Sequence, residues 1–278
     1  MSSVITLTTD FGLTDAYVGA TKGAILSVNP DAVIVDITHS IEPQNIVQGA
    51  FVLNNAYHYF PKQSIHIAVV DPGVGSKRCG VILKTPSALF VAPDNGILSW
   101  VINELSLNED WSSQESMPFE KLLLGDGLEA VAITDPRFWR QPVSATFHAR
   151  DIFAPVAAGL SLGISIYEFG EKLNSLHVFP AQRPFVGQEG SLSGHVIHVD
   201  YFGNLITDIR STDLPKKSIV IEIAGYQIRG LMRYYQESNG LVAILGSNGY
   251  LEISIPKKNA CDFLGAHVGD EVTVVAAQ

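Results

Sequence analysis

Short β-branched runs alternate with longer helical patterns in the first part of the chain, and this alternation restricts the possible folds more than any other feature. The runs VITLTT (4–9), VIVDI (33–37) and SIHIAVV (64–70) are typical of strands. The segments between them, 16–28 and 45–60, are typical of amphipathic helices that stop at a proline. Strand, helix and strand at this spacing require right-handed crossover connections. The sequence therefore predicts an α/β domain whose parallel sheet is covered by helices on both faces.

Further elements follow in the same part of the chain. CGVILK (79–84) and ALFVA (88–92) are typical of strands, and the polar run LNEDWSSQES (107–116) is typical of a loop. The stretch IFAPVAAGLSLG predicts a helix with Asp151 at its N-cap and Pro155 in its first turn.

The pattern changes in the last third of the chain. From about residue 187 it consists of short β-rich runs separated by Gly, Asn, Asp or Pro, which indicates a small antiparallel barrel or sandwich. The segment 180–191 has the Pro and Gly content of a linker. We therefore predict an α/β N-terminal domain over 1–182 and a small C-terminal antiparallel β-barrel domain over 183–278.

Charge and hydropathy exclude two classes of partner. The net charge of −10 disfavours nucleic acid, which needs a basic surface. No stretch approaches the roughly 18 uninterrupted apolar residues of a membrane span, and the chain enters a strand pattern at once, without a leader. We therefore expect a cytoplasmic protein that contacts neither nucleic acid nor membrane. Cys79 and Cys261 lie far apart among apolar residues, so we expect buried free thiols rather than a disulfide or a metal site.

Acidic residues stand at the ends of the three predicted parallel strands. Asp10 ends the first, Asp36 and His39 end the second, and Asp71 ends the third. Ligands of open α/β sheets bind in the crevice beyond the carboxyl ends of the strands. The sequence therefore favours a small-molecule site at this edge, although soluble proteins also place polar residues there by default.

Asp71 and Arg78 flank the glycine-rich turn PGVGS. Gly73 and Gly75 let the backbone fold back tightly, so both side chains can face one pocket. An arginine beside an aspartate keeps the carboxylate ionised and fixes its direction, which suits the orientation of a water or a hydroxyl. A surface ion pair worth less than about 1 kcal/mol remains the alternative. His148 can serve as a proton acceptor or donor near neutral pH, or it can simply pack beside Phe147.

Two turns of the second half combine polar and aromatic residues. DYFGN (200–204) offers aromatic rings that can stack on a planar heterocycle and an amide that can pair with an adenine edge. LGSNGYLEIS (245–254) has a similar mixture. A plain β-turn has the same composition, so the residues alone leave both interpretations open.

Eight motifs in the same order resemble one enzyme family over nearly the whole chain. This family is the S-adenosylmethionine hydroxide adenosyltransferases, the adenosine-forming S-adenosylmethionine hydrolases, whose relatives are the fluorinases and chlorinases. The motifs are TTDFG-x-x-D-x-Y (8–17), DITH (36–39), VVDPGVGS-x-R (69–78), APDNG (92–96), PRFW (136–139), TFHARDIFAP (146–155), D-x-FGN (200–204) and GS-x-G-x-LEI (246–253). The resemblance implies an α/β domain joined to a β-barrel, a homotrimer with sites between neighbouring subunits, and cleavage of S-adenosylmethionine by water to adenosine and methionine, without a cofactor or metal.

The same resemblance implies a role for individual residues. The family's water-activating set falls on Asp71, Arg78 and His148. Asp10 falls on the acid that holds the ribose hydroxyls. The methionine ammonium and carboxylate would be held by Asp200 and Ser247, and the adenine would face Asn204, Phe202 and Tyr235. Further substrate contacts are implied at Phe11, Phe147, Ala149, Asn248 and Glu252.

The chain agrees with the hydrolases rather than the halogenating relatives at two positions. Those relatives have an uncharged residue in place of Asp71 and lack the histidine of His148, and a carboxylate would repel a halide. The chain departs from the pattern at Ala149, where hydrolases usually have glycine, and at Asn248, where some relatives have arginine.

Two other functions remain open from the sequence. A metal-dependent hydrolase would use Asp10, Asp71, His148 and Asp36 as ligands at strand ends. A binding protein would sequester S-adenosylmethionine or adenosine without turnover. Sensitivity to a chelator would distinguish the metal-dependent hydrolase from the adenosine-forming hydrolase. Absence of turnover would distinguish the binding protein from it.

Overall fold

The computed structural model describes residues 4–105, 120–179, 183–187, 190–237 and 239–277. The chain divides into two compact units, Met1–Ala181 and Gln182–Gln278. The polar run 107–116 that was predicted to be a loop lies outside the described residues. That the units correspond to independent domains stays a prediction.

The first unit alternates strands and helices as the sequence predicts. Its described strands are β1 (Val4–Thr9), β2 (Val33–Thr38), β3 (Ser64–Val69), β4 (Gly80–Lys84), β5 (Ala88–Pro93), β6 (Glu120–Leu123), β7 (Glu129–Ala132), β8 (Lys172–Leu173) and β9 (Ser175–Val178). Its described α-helices are α1 (Tyr17–Val28), α2 (Ile46–Tyr57), α3 (Ser99–Leu105) and α4 (Ala154–Ser161). Short 3₁₀ turns span Pro136–Phe138 and Ile166–Phe169, and a π-helical turn spans Ala149–Phe153.

The main sheet of the first unit is mixed. Its order among the described strands is β2-β1-β3-β5-β4-β7-β8. β1, β2, β3 and β5 are parallel, which confirms the α/β class, whereas β4 is antiparallel to both β5 and β7. The predicted parallel pairing thus holds for these four strands, and the antiparallel strands make the complete sheet mixed. Only residues 85–87 separate β4 from β5, and a connection this short joins antiparallel strands, since a parallel pair needs a crossover of a dozen residues or more.

Helices cover both faces of this sheet. The buried strand β3 shows why, because Ile65 and Ile67 pack in the cluster formed with α1 and α4, whereas Ala68 packs in the cluster formed with α2 and α3. Successive side chains of a strand point to opposite faces. A strand that is buried at every position, as β3 is, therefore requires a helical layer on each side.

Two local predictions are corrected. Asp151 is not the N-cap of a helix: it lies inside the π-helical turn, and its buried carboxylate accepts hydrogen bonds from Arg150 and from the backbone of Ser144. The cysteines are free thiols as expected, but Cys79 is exposed and Cys261 is only partly buried.

The second unit is an antiparallel, nearly closed sheet. Its described strands are β10 (Phe185–Val186), β11 (Leu192–Val199), β12 (Leu205–Arg210), β13 (Ile219–Ile223), β14 (Tyr226–Arg229), β15 (Val242–Leu245), β16 (Tyr250–Ser254) and β17 (Glu271–Ala276). Its described helical elements are a 3₁₀ turn at Tyr235–Glu237 and the short α-helix α5 (Ala260–Leu264). The order is β14-β13-β17-β11-β12-β16-β15, and the two end strands touch. This confirms the barrel-like prediction. In the described part of the chain, none of the helices has the length and apolarity to cross a membrane.

Candidate active site

A cavity of about 270 Å³ opens in the first unit beyond the ends of β1 and β3. Because these strands are parallel neighbours, the residues that follow them emerge at the same edge of the sheet. Six residues that the sequence assigned to the site contribute to the wall: Asp10, Phe11, Asp71, Phe147, His148 and Ala149. The structure thus brings this part of the predicted set together.

Arg78 joins Asp71 to His148. Its Nε donates a hydrogen bond to Asp71 Oδ1 at 2.8 Å, and its Nη2 contacts both Asp71 Oδ2 and, at 3.1 Å, His148 Nδ1. The side chains of Arg78 and Asp71 are only 12% and 6% exposed. The guanidinium carbon lies 5.4 Å from the ring centre of Phe153. The pair is therefore a buried, forked contact and not the loose surface ion pair that the sequence left open.

Of the two glycines in the turn, only Gly75 is required by the geometry. Gly75 has φ +78°, and a Cβ there would lie 2.3 Å from the carbonyl oxygen of Ala145. Gly73 has no positive φ, and its nearest neighbour would be Ser76 Oγ at 3.6 Å. The interpretation that both glycines are needed for Asp71 and Arg78 to converge is thus correct for Gly75 alone.

The contact with Arg78 fixes the proton of His148. A guanidinium has only donors, so Nδ1 of His148 must accept, and the proton of the neutral ring must lie on Nε2. Burial, and after it the charge of Arg78, lowers the pKa of His148, whereas Asp71 and Asp151 act in the opposite direction. His148 is therefore a neutral imidazole at physiological pH.

The wall near Asp10 contains residues that the sequence did not indicate. The backbone N–H of Gln44 donates to Asp10 Oδ2 at 2.8 Å, and Gln44 has φ +67°, a conformation that no local signal predicts for glutamine. Tyr17 lies 5.2 Å from Phe147 between ring centres, and Phe11 lies 5.8 Å from Phe147. These rings form an aromatic cluster beside the cavity, of a kind that suits a planar ligand.

The polar residues that end β2 do not line the cavity. His39 is buried, with Nδ1 2.8 Å from Thr9 Oγ1 and Nε2 3.1 Å from Asp36 Oδ1. Asp36 also pairs with Lys22 at 2.6 Å. Burial raises the pKa of Asp36, but the hydrogen bonds from Lys22 and His39 outweigh burial and lower it. Asp36 and His39 therefore support the strand end rather than the cavity wall.

In the second unit, Asp200 organises the loop between β11 and β12. Its Oδ1 accepts from the backbone N–H groups of Phe202 and Asn204, both at 2.9 Å, and its Oδ2 accepts from Asn204 Nδ2 at 2.8 Å. Gly203 has φ +82°, and a Cβ there would overlap the amide of Asn259. Phe202 remains 74% exposed. The loop is therefore rigid at Asp200 and presents an aromatic ring to solvent.

Two other predicted residues of the second unit, Tyr235 and Glu252, bond to each other. This buried carboxylate accepts from Tyr235 Oη at 2.7 Å and from Ser254 Oγ at 2.8 Å. Burial, together with the bond to Glu252, raises the pKa of Tyr235 to about 12. Ser247 and Asn248 are exposed in the turn between β15 and β16, next to Gly246, whose Cβ would lie 2.8 Å from Glu252 Oε2.

A larger cavity of about 740 Å³ lies in the second unit beside β13 and β14. Its wall includes Lys217, Arg229 and Leu231 but none of the predicted site residues. It has no converging set of buried polar groups, so the smaller cavity is the better candidate. Within the described ranges, no three His, Cys, Asp or Glu side chains are grouped as metal ligands.

Comparisons with known proteins give matches over nearly the whole chain. The family described as the SAM hydroxide adenosyltransferase N-terminal domain matches residues 5–170, and the corresponding C-terminal domain matches residues 194–273. A protein named (R)-S-adenosyl-L-methionine hydrolase from Methanocaldococcus jannaschii is 34% identical over 98% of this chain and 95% of its own length. A protein of the same name from Thermus thermophilus is 32% identical over 96% of this chain and 97% of its own.

More distant and structural relatives are consistent with these matches. A fluorinase from Nocardia brasiliensis is 27% identical over 78% of this chain and 74% of its own. The crystal structure of an uncharacterized conserved protein from Thermotoga maritima superimposes with a TM-score of 0.83 at 32% identity, over 98% of this chain and 99% of that one.

Proposed function

The chain belongs to the S-adenosylmethionine hydroxide adenosyltransferase family and is an enzyme that hydrolyses S-adenosyl-L-methionine to adenosine; we propose that Asp71, Arg78 and His148 hold the attacking water. The observation that supports this assignment is the forked contact of Arg78 with Asp71 and His148 at the wall of a cavity beyond two parallel strands. The other products follow from balance, since water adds to the adenosyl group and methionine leaves.

The reaction needs positioning more than acid catalysis. The water oxygen forms a bond to the 5′ carbon while the carbon–sulfur bond breaks, and the electron pair of the broken bond stays on sulfur and neutralises the sulfonium. Because a sulfonium leaves as a neutral thioether, no proton is required at sulfur. The barrier is set by alignment of a desolvated water opposite the sulfur, a task for fixed geometry and electrostatics.

The protonation states suggest how the water is held. Asp71 is a carboxylate whose oxygens each keep a lone pair beyond the bonds from Arg78. It accepts a hydrogen bond from the water and takes its proton as the new bond forms. Neutral His148 donates from Nε2 to the water oxygen, which leaves the second lone pair of that oxygen directed at carbon. Asp10 binds the ribose hydroxyls in this scheme.

The roles of the second unit are part of the same proposal. Asp200 and Ser247 hold the ammonium and carboxylate of methionine, and Asn204, Phe202 and Tyr235 face the adenine. One side-chain N–H of Asn204 bonds to Asp200 within the loop, so the amide oxygen and the second N–H remain for the adenine.

The decisive test is product analysis after incubation with S-adenosylmethionine in isotopically labelled water. Labelled adenosine and methionine are expected from the parent, with loss of both in Asp71→Asn and His148→Ala. Asp36→Asn is the matched control, because Asp36 is also an aspartate near the carboxyl end of a parallel strand but lies outside the cavity wall. Intact, tightly bound substrate in the parent would instead establish a binding protein, and unlabelled adenosine would exclude attack by water.

Three further expectations accompany the proposal. We propose a homotrimer, a reaction without a metal or other cofactor, and a cytoplasmic location. Analytical ultracentrifugation tests the first, and full activity after treatment with a chelator tests the second. Fractionation of cells tests the third.

A further inference from the structure

Asp151 is a completely buried carboxylate three residues after His148. Arg150 donates to its Oδ1 from Nε at 2.7 Å and to its Oδ2 from Nη2 at 2.8 Å, and the backbone N–H of Ser144 donates to Oδ2 at 2.9 Å. Arg140 Nη1 lies 3.5 Å from Oδ1. A carboxylate removed from water this fully is stable only when donors occupy its oxygens. Burial raises the pKa of Asp151, but these donors outweigh burial and lower it, so the group is charged.

The bonds of Asp151 fix both sides of the segment that carries His148. Ser144 precedes His148 by four residues and Arg150 follows it by two, so one carboxylate closes the segment into a loop. Two backbone bonds complete the closure: Asp151 N–H donates to the carbonyl of Phe147 at 3.2 Å, and Arg140 N–H donates to the carbonyl of Asp151 at 2.8 Å. Asp151 itself is not part of the cavity wall within the described residues.

The closed loop also contacts the turn that carries Asp71 and Arg78. The carbonyl oxygen of Ala145 lies only 2.3 Å from the position that a Cβ of Gly75 would take, so the backbones of the two segments approach each other closely. At the other end of the π-helical turn, fully buried Phe153 lies beneath the Arg78 guanidinium. Displacement of the loop would therefore alter the contact between Arg78 Nη2 and His148 Nδ1.

We propose that Asp151 is a positioning residue, which holds the loop 144–150 so that His148 accepts from Arg78 and presents its Nε2–H to the water. This role rests on the proposed function for its effect on turnover. The effect of Asp151 on the position of the His148 ring does not rest on the proposed function, because that effect exists in the protein without substrate.

The test compares Asp151→Asn with Asp135→Asn. Asp135 is a matched control because it also pairs with a nearby arginine, Arg137, and accepts a backbone N–H at 2.9 Å, but it is outside the loop. Steady-state kinetics with S-adenosylmethionine give kcat and KM. Nuclear magnetic resonance titration of the His148 imidazole, assigned by loss of its signal in His148→Ala, gives the second readout.

The positioning role predicts a selective loss of turnover in Asp151→Asn. We expect kcat to fall about 10- to 100-fold with KM changed less than about threefold, since misplacement of about 1 Å can cost that much in rate. The control is expected to stay within about twofold of the parent in both constants.

The titration separates positioning from direct electrostatics. The groups that face His148 are Arg78, which lowers its pKa, and Asp71 and Asp151, which raise it. Loss of the Asp151 charge alone would lower the pKa further. Release of the ring from burial and from Arg78 would instead raise it toward the ordinary histidine value, and this increase is the result we expect.

A lower or unchanged His148 pKa in folded Asp151→Asn would overturn the proposal. If Asp151→Asn does not fold, Arg150→Lys is the second variant, because it keeps the positive charge at residue 150 but loses the forked contact with Asp151. A smaller increase in the His148 pKa is expected in Arg150→Lys, and the absence of that increase would likewise refute the role. If the parent protein does not hydrolyse S-adenosylmethionine, the proposed function fails and the kinetics of the variants give no information. The titration would still show whether Asp151 positions the His148 ring.

Discussion

The contact between Gly75 and Ala145 provides a sharp test of how the candidate site is built. Gly75→Ala places a methyl group 2.3 Å from the carbonyl oxygen of Ala145, at a backbone φ of +78°. Gly73→Ala, two residues earlier in the same turn, places its methyl no closer than 3.6 Å to any neighbour at an ordinary φ. The two variants therefore make the same chemical change in one turn with opposite steric consequences.

The size of the effect follows from these two terms. A left-handed conformation costs a residue with a Cβ roughly 1–2 kcal/mol, and forced overpacking costs about 1–3 kcal/mol. We therefore expect Gly75→Ala to lower the free energy of unfolding by about 2–5 kcal/mol, and Gly73→Ala to change it by no more than about 0.5 kcal/mol. To restore an ordinary contact, Ala145 must move by about 1 Å, a displacement that can lower turnover about 100-fold.

Urea denaturation and steady-state kinetics measure both quantities on the same samples. Gly75→Ala is expected to lose stability and kcat together, and Gly73→Ala is expected to keep both. If the two variants behave alike, either both normal or both damaged, the close approach of Ala145 to Gly75 does not align the segment of Asp71 and Arg78 with that of His148, and the reasoning fails.

Two further predictions concern histidine titration. Burial and Arg78 lower the pKa of His148, so its neutral form persists at pH values below the ordinary histidine range, and kcat/KM should fall only as pH decreases through this lowered pKa. This decrease at acid pH should be absent from the residual activity of His148→Gln. If the decrease persists in that variant, another group causes it. His66 is fully buried beside Thr6, and burial lowers its pKa to about 4 from 6.5, so the unfolded chain binds its proton first and stability is lost as pH falls below 6.5. At pH 5 the loss is about 2 kcal/mol relative to pH 8. Urea denaturation should show this loss reduced in His66→Asn and retained in the control His267→Asn, which removes an exposed histidine of the second unit, and equal losses in both would contradict the prediction.

The first part of the fold could be predicted because it depends on local patterns. Strands β1 to β3 and helices α1 and α2 lie within a few residues of their predicted bounds. Asp10 and Asp71 were found by a topological rule, since ends of neighbouring parallel strands meet at one edge. The same rule misplaced Asp36 and His39, because partners elsewhere, Lys22 and Thr9, hold their side chains away from the cavity.

The features that the sequence did not predict depend on contact partners that the local pattern does not specify. An aspartate before an apolar run normally indicates an N-cap, but the bond from Ser144 and the burial of Asp151 produce a π-helical turn instead. Which glycine of the turn is essential depends on Ala145, seventy residues away from Gly75. Asn204 was expected to serve a ligand, yet one of its N–H groups bonds to Asp200.

The arrangement of charge around the cavity explains why the site suits water and a sulfonium. Among the described residues, the wall includes Asp71 and His148 but not Arg78, so the guanidinium contacts both groups from outside the cavity. A ligand therefore meets a carboxylate and a neutral imidazole, and no cation. Such a wall would attract a positively charged sulfonium and offer a water one acceptor and one donor, whereas the charge of Asp71 would repel a halide. In the proposed mechanism, Arg78 thus fixes its two neighbours, and the groups that it holds confer the selectivity for water.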